Sequence, residues 1–425
     1  FLYGHLGHPQ LRFAFFIPGA ALAALVFAET RSFFSATAIG FCVFAQFFST
    51  VYYSLIAYVL AGLILLSYGM LRFRTIALRD IGTLFTANVP WAIGIAVASG
   101  AYRDVRETFG AFHPSLIKHF QATFGSYLAA SEKHFLWGWL APKYARNGAY
   151  LTPGVTVLAL AAIAVGTLLF RTRRSSAFPA LRERFGLLVP TLGGLSLLWL
   201  LGFTILVGDR LHSDDAFRSM VISVGMWGLL GAAALGMIGR GYVNRSITLG
   251  RRDAAFVAFF VATFFAFASF GIIGGYRTDS HNPSLYWLLY RTLPGFDSMR
   301  AVYRFGIVAN LFIAILAALT VTAAVSRIGS QTLRAAVLAL VLLAVSVEEK
   351  LSPYAPSIDG PRPEVYDALD RLPGKEAVVG LPFFSPIKSG LQYSRAHTAY
   401  MLWTLPSERP IMSGWSSLLP RYYQF

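Results

Sequence analysis

A single cysteine, Cys42, serves 425 residues. That excludes a disulfide framework or a thiolate metal site within the chain. Charge is scarce as well: 13% of residues are Asp, Glu, Lys or Arg, against roughly 25% in soluble domains. Carboxylates are the rarer sign, 20 against 36 Lys and Arg, for a formal net charge of +16. There is no Walker loop, no GxGxxG opening a helix, no HExxH and no GxSxG with partners. Soluble nucleotide chemistry therefore has no motif to rest on. No internal repeat or low-complexity tract is present.

What the chain has in quantity is apolar surface. It is 56% hydrophobic and 15% aromatic, with a mean hydropathy of +0.57. Repeated runs are long enough to cross a bilayer, the mark of an α-helical polytopic membrane protein. The basic residues flank these runs, where positive-inside bias and lipid headgroups account for them. Nucleic acid is not the expected partner; the lipid bilayer is.

About ten spans are expected: Arg12–Ala28, Phe33–Phe48, Tyr52–Leu71, Ile81–Gly100, Leu151–Phe170, Gly186–Gly208, Ser219–Gly239, Ala254–Gly275, Phe305–Val325 and Ala335–Val347. The first and last are short for a crossing. Phe33–Leu71 has no charge and is too long for one helix; "FFSTVYYS" (Phe47–Ser54) predicts its break. Arginines gather in alternate loops, at Arg31, Arg72–Arg79, "RTRR" with Arg182 and Arg184, Arg240–Arg252, and Arg327 with Arg334. These loops are expected to be cytoplasmic. The start of the chain, the loops 101–150 and 276–304 and the tail would then lie outside the membrane.

Composition changes after the last span. Residues 1–350 read as a transmembrane domain and 351–425 as the start of an extracytoplasmic soluble α/β segment. There a helix at Glu364–Leu372, stopped by Pro373 and Gly374, precedes a strand at Ala377–Leu381. The chain begins with Phe, not Met, which leads to the expectation of a fragment or a processed chain.

Candidate chemistry concentrates in "NPSLYWLLYRTLPGFDSMRAVYRFG" (Asn282–Gly306). "SLYWLLYRTL" suits an interfacial amphipathic helix. Arg291, Arg300 and Arg304 surround it, and Arg304 stands at the mouth of the next span. A guanidinium there offers a fixed charge and a planar donor fork for phosphate oxygens. Interfacial snorkelling is the competing reading. Asp297 either pairs with Arg300, three residues on, or adds a polar group to the site. His5 and His8 could share a helical face toward a metal or a phosphate, but Pro9 disfavours helix at His8 and no third ligand is near. Interfacial hydrogen bonding is the alternative for that pair. The remaining outer carboxylates have no spacing that marks a catalytic base, and no catalytic residue is assigned.

"GHLGHPQLRFAFFIPGAALAAL", "AQFFSTVYYSLIAYVLAGLILL" and "PSLYWLLYRTLPGFDSMRAVYRFG" resemble, in this order, segments of bacterial polytopic membrane proteins similar to GT-C-type glycosyltransferases. "VYDALDRLPGKEAVVGLPFF" and "SERPIMSGWSSLLPRYY" resemble the same group's extracytoplasmic ending, with Ser413 where Asn is more usual. The resemblance implies an inner-membrane enzyme that moves a sugar from a polyprenyl-phosphate donor to an acceptor on the outer face. It also implies an acidic residue in a first outer loop, acting as base or as ligand to a divalent metal, which would precede Phe1. Arg304, Arg300 and Arg291 would hold the donor phosphate. Two other classes compete: a non-catalytic binder of the lipid carrier or envelope-assembly subunit, and a transporter. The transporter reading is disfavoured because the spans show no buried charge at mid-membrane.

Overall fold

The computed structural model describes residues 13–72, 76–100, 102–104, 117, 120–130, 134–140, 143, 149–170, 192–193, 195–196, 216–243, 250–272, 284–348, 363–374, 376 and 403–404. The chain divides into two compact units, one of Phe1–Asp104 with Ala111–Ser352 and one of Val105–Gly110 with Pro353–Phe425.

The first unit is a helical bundle. Its long helices are α1 (Phe16–Thr30), α2 (Phe33–Ser49), α3 (Val51–Arg72), α4 (Leu78–Ala98), α5 (Val155–Phe170), α6 (Ala216–Val243) and α7 (Arg251–Ser269). A short helix α8 (Leu285–Thr292) precedes α9 (Gly306–Val325) and α10 (Gln331–Glu348). Among the described residues six helices are long and apolar enough to cross a membrane, and Phe16–Thr30, Phe33–Ser49 and Val155–Leu168 are shorter apolar helices. The protein is an α-helical multi-pass membrane protein.

Small residues let these helices approach. Ala20, Ala24 and Ala28 recur every fourth position of α1 and are fully or almost fully buried, where α1 packs on α2 and α3. Gly241 at the end of α6 lies against α3, where a Cβ would fall 2.6 Å from the Met70 carbonyl oxygen. α6 and α7 join two groups of helices: both contact α3, and α7 also contacts α5 and α9.

The break within the long apolar run falls at Thr50, which leaves the helical region (φ −164°, ψ 112°) between α2 and α3. "FFSTVYYS" therefore ends one helix and begins the next, as its β-branched and small polar residues suggest. Several boundaries need correction, among them the start of α5, at Val155 and not Leu151, and the end of α6, at Val243 and not Gly239. α1 begins at Phe16 rather than Arg12. α7 stops at Ser269 because Gly271 adopts φ +62°, short of the expected Gly275. α10 is longer than an apolar window allows, because Gln331, Arg334 and Glu348 continue the helix. The expected span Gly186–Gly208 lies almost entirely outside the described residues.

Contacts at the helix ends fall into two sets. One end holds Arg31, Arg72, Asp80, Arg240, Arg251, Asp253 and Ser326. The other brings Phe13 to Gln46, Leu151 to Asn310, Ser269 to Tyr127, and Glu348 to Val155 and Trp137. Each set joins helix termini that an alternating chain puts on one side.

The first end buries charge just beyond the expected spans, and not at mid-membrane. Asp253 is fully buried at the start of α7, where one oxygen accepts from Gly250 N–H at 3.1 Å and caps the helix. The same carboxylate pairs with Arg240 and, at 3.7 Å, with buried Arg72. These charges sit at helix ends, where hydropathy averages hide them. At the opposite end Glu348 accepts from Thr156 N–H at 2.9 Å, from Val155 N–H and from Trp137 Nε1 at 3.0 Å. A carboxylate at the α5 N-terminus is favourable both for its orphan donors and for the helix dipole.

In the second unit a helix α11 (Glu364–Arg371) ends one residue before the expected Leu372, and Gly374 turns away at φ +88°. Tyr366 packs on Trp403, with ring centroids 5.4 Å apart. The strand expected at Ala377–Leu381 lies outside the described residues.

Candidate functional site

The stretch around the three arginines folds by ordinary local rules. Ser284 caps α8, its hydroxyl accepting from Trp287 N–H at 3.1 Å. Leu285, Tyr286, Trp287 and Leu289 are buried, while Leu288 and Arg291 are exposed. This matches the expected amphipathic helix. Pro294 and Gly295 then turn the chain, with Gly295 at φ +86°. Two 3-10 turns follow, Phe296–Ser298 and Val302–Phe305, and the second runs straight into α9. Tyr286 anchors the loop by donating its hydroxyl to the carbonyl oxygens of Phe296 at 2.7 Å and Met299 at 3.0 Å. Burial, with the neighbouring Tyr290, Asp297 and Tyr52, pushes the Tyr286 pKa well above the usual tyrosine value.

The loop before α5 supports this segment from another side. Ala122 N–H donates to Ser269 O at 2.8 Å, and Tyr127 hydroxyl meets Ser269 Oγ at 3.0 Å. Tyr303 N–H donates to Phe120 O at 3.1 Å, joining the two loops directly. Burial raises the Tyr127 pKa, partly offset by the Ser269 contact.

Arg304 is the centre of the site. It is 8% exposed, and its guanidinium lies over the Tyr52 ring at 5.1 Å from the centroid. Its positive charge acts on the side chain of the adjacent Tyr303 and on the Tyr53 hydroxyl. Its Nε is buried and makes no hydrogen bond. A snorkelling arginine carries its head into headgroup water; this one is held against aromatic rings.

Arg300 is half-buried, with its guanidinium over the Phe120 ring at 4.9 Å. Burial lowers its pKa; Tyr52 opposes that, and the like charge of Arg304 adds to it. Neither arginine forms an ion pair among the described residues, so two positive charges share one aromatic-walled region.

Arg300 and Arg304 thus come together, and Arg291 does not join them. Arg291 is exposed in the last turn of α8, without a described contact to either. Asp297 is half-buried in the first 3-10 turn and accepts from Ser298 Oγ at 3.4 Å. His5 and His8 lie outside the described residues. Sequence reasoning missed Tyr52, Tyr53, Phe120 and Tyr303. "TVYYS" carried a signal, because tyrosines directly after a helix break stand at a helix mouth, but the stretch reads first as the break itself.

Among the described residues no three His, Cys, Asp or Glu side chains come together. They offer no metal-binding set, and the chemistry available is that of the arginines and tyrosines: anion binding by charge-assisted hydrogen bonds.

Comparison with protein families, curated proteins and solved structures gives no match of any of the three kinds.

Proposed function

We propose that this protein is a membrane glycosyltransferase of GT-C-like type, using a polyprenyl-phosphate sugar donor whose phosphate binds at Arg304 and Arg300. The reading takes in about ten spans, a bacterial inner-membrane location, and an α/β segment after the bundle on the outer face. The observation that supports it is Arg304 itself: a buried guanidinium beside a second one, with no carboxylate paired to either among the described residues. A buried, unpaired charge is costly, and a phosphate would supply the missing counter-charge. Arg291, at the exposed rim, would meet the ligand's outer part.

A second reading is a carrier-binding or envelope-assembly subunit without catalysis. It is favoured by the groups that touch the arginines, which are aromatic and offer no general base among the described residues.

The two readings share the phosphate site, so that site is tested first. A charge-assisted hydrogen bond there contributes about 1.5–3 kcal/mol, or roughly ten- to a hundredfold in affinity. Purified wild type should bind undecaprenyl phosphate more tightly than Arg304→Ala by that factor. Arg304→Lys should rescue only partly, because it lacks the planar fork. Equal binding by all three, with folding verified by melting, would reduce Arg304 to an anchor. Sugar transfer to water or an added acceptor by the full-length protein then separates enzyme from binder.

A further inference from the structure

We infer that the Tyr53 hydroxyl is a second donor to the same phosphate, reaching it from α3 while Arg304 reaches it from the turn before α9. This rests on the phosphate reading above and adds a residue to it. Buried tyrosine hydroxyls normally find a partner, as buried Tyr286 and half-buried Tyr127 do here. Tyr286 donates to Phe296 O and Met299 O, and Tyr127 meets Ser269 Oγ. Tyr53 is the contrast. It is fully buried, its hydroxyl makes no hydrogen bond, and it lies in the field of Arg304.

Two orphaned donors, the Tyr53 hydroxyl and Arg304 Nε, therefore lie on two elements that touch where the Arg304 guanidinium covers the ring of Tyr52, the neighbour of Tyr53 in α3. Each is expensive to leave unmade, and a single oxyanion with several acceptor oxygens satisfies both. Tyr53 belongs to the first turn of a long helix, whose dipole adds positive potential at that point. Neither atom touches solvent, so an arriving ligand must displace part of the wall. The chemistry is that of a phosphate monoester or diester, whether carried on a polyprenyl chain, on an ordinary phospholipid or free.

The test measures binding of undecaprenyl phosphate, undecaprenol, inorganic phosphate and phosphatidic acid vesicles to wild type, Tyr53→Phe, Arg304→Lys and the double variant. Tyr53→Phe is expected to keep the wild-type melting temperature and to bind undecaprenyl phosphate roughly tenfold more weakly, the loss of one hydrogen bond to a charged group. Undecaprenol binding should not change. The double variant should lose less than the product of the two single losses, because both groups hold one ligand. The phosphate form that responds identifies the source. Wild-type binding by Tyr53→Phe, while Arg304→Lys is weakened, overturns the Tyr53 assignment and leaves the arginine site standing. An equal loss for neutral undecaprenol also overturns it, by moving the hydroxyl's role to the chain. If wild type binds none of the four, the phosphate reading fails and takes Tyr53 with it.

Discussion

The two ends of the bundle bury arginine in opposite ways. At one end Arg72 and Arg240 converge on Asp253, whose carboxylate also caps α7. At the other, Arg300 and Arg304 lie over Phe120 and Tyr52, and no described carboxylate pairs with either. Both ends use aromatic faces, since Tyr68 also lies under Arg31 and Arg72. Only the counter-charge differs. A charge paired within the protein belongs to the fold, because removing one partner strands the other. A charge left unpaired costs the fold something, and the counter-charge of a ligand is what we propose that Arg304 meets.

Asp253→Ala should break the comparison most strongly. It leaves Arg72 buried without its counter-ion and uncaps α7, so the loss should be about 3–5 kcal/mol. A detergent melting curve checks it; a melting temperature near wild type would mean that the paired end is not structural. Gly241→Ala should come next, at about 1–3 kcal/mol, because the new methyl meets the Met70 and Leu71 backbone rather than a flexible side chain. Retained stability there would show that α3 and α6 can separate at small cost. Tyr52→Leu should have the smallest effect, about 0.5–2 kcal/mol from the lost cation–π contact with Arg304. Chemical denaturation of Tyr52→Leu alone and combined with Arg304→Met reads this as a coupling. Additive effects would mean that ring and guanidinium do not interact.

The helices were legible because their apolar runs are long and the breaks have chemistry of their own. Thr50 and the pair Pro294–Gly295 stop the chain where their backbone preferences say it should stop. Hydropathy alone makes α10 too short, because charged and polar residues at a helix end lower the average without ending the helix. The Asp253 cluster was hidden for a related reason. Arg72, Arg240 and Asp253 read as loop charges, and only packing shows that they bury one another. Arg300 and Arg304 could be named from their place beside a span, since fixed charge there needs a reason. Their aromatic walls could not, because Phe120 and Tyr52 reach them from distant parts of the chain. A single sequence does not display such contacts.

The central claim is that Arg304 is kept for a ligand and not for the fold. The most direct measurement is the melting temperature of wild type and Arg304→Met, each with and without undecaprenyl phosphate. Removing a buried, unpaired cation should leave the ligand-free melting temperature unchanged or raise it. The lipid should raise the wild-type melting temperature and do little to the variant, because a ligand stabilises only a state that binds it. A variant that melts lower without ligand, yet gains as much from the lipid as wild type does, would contradict the account.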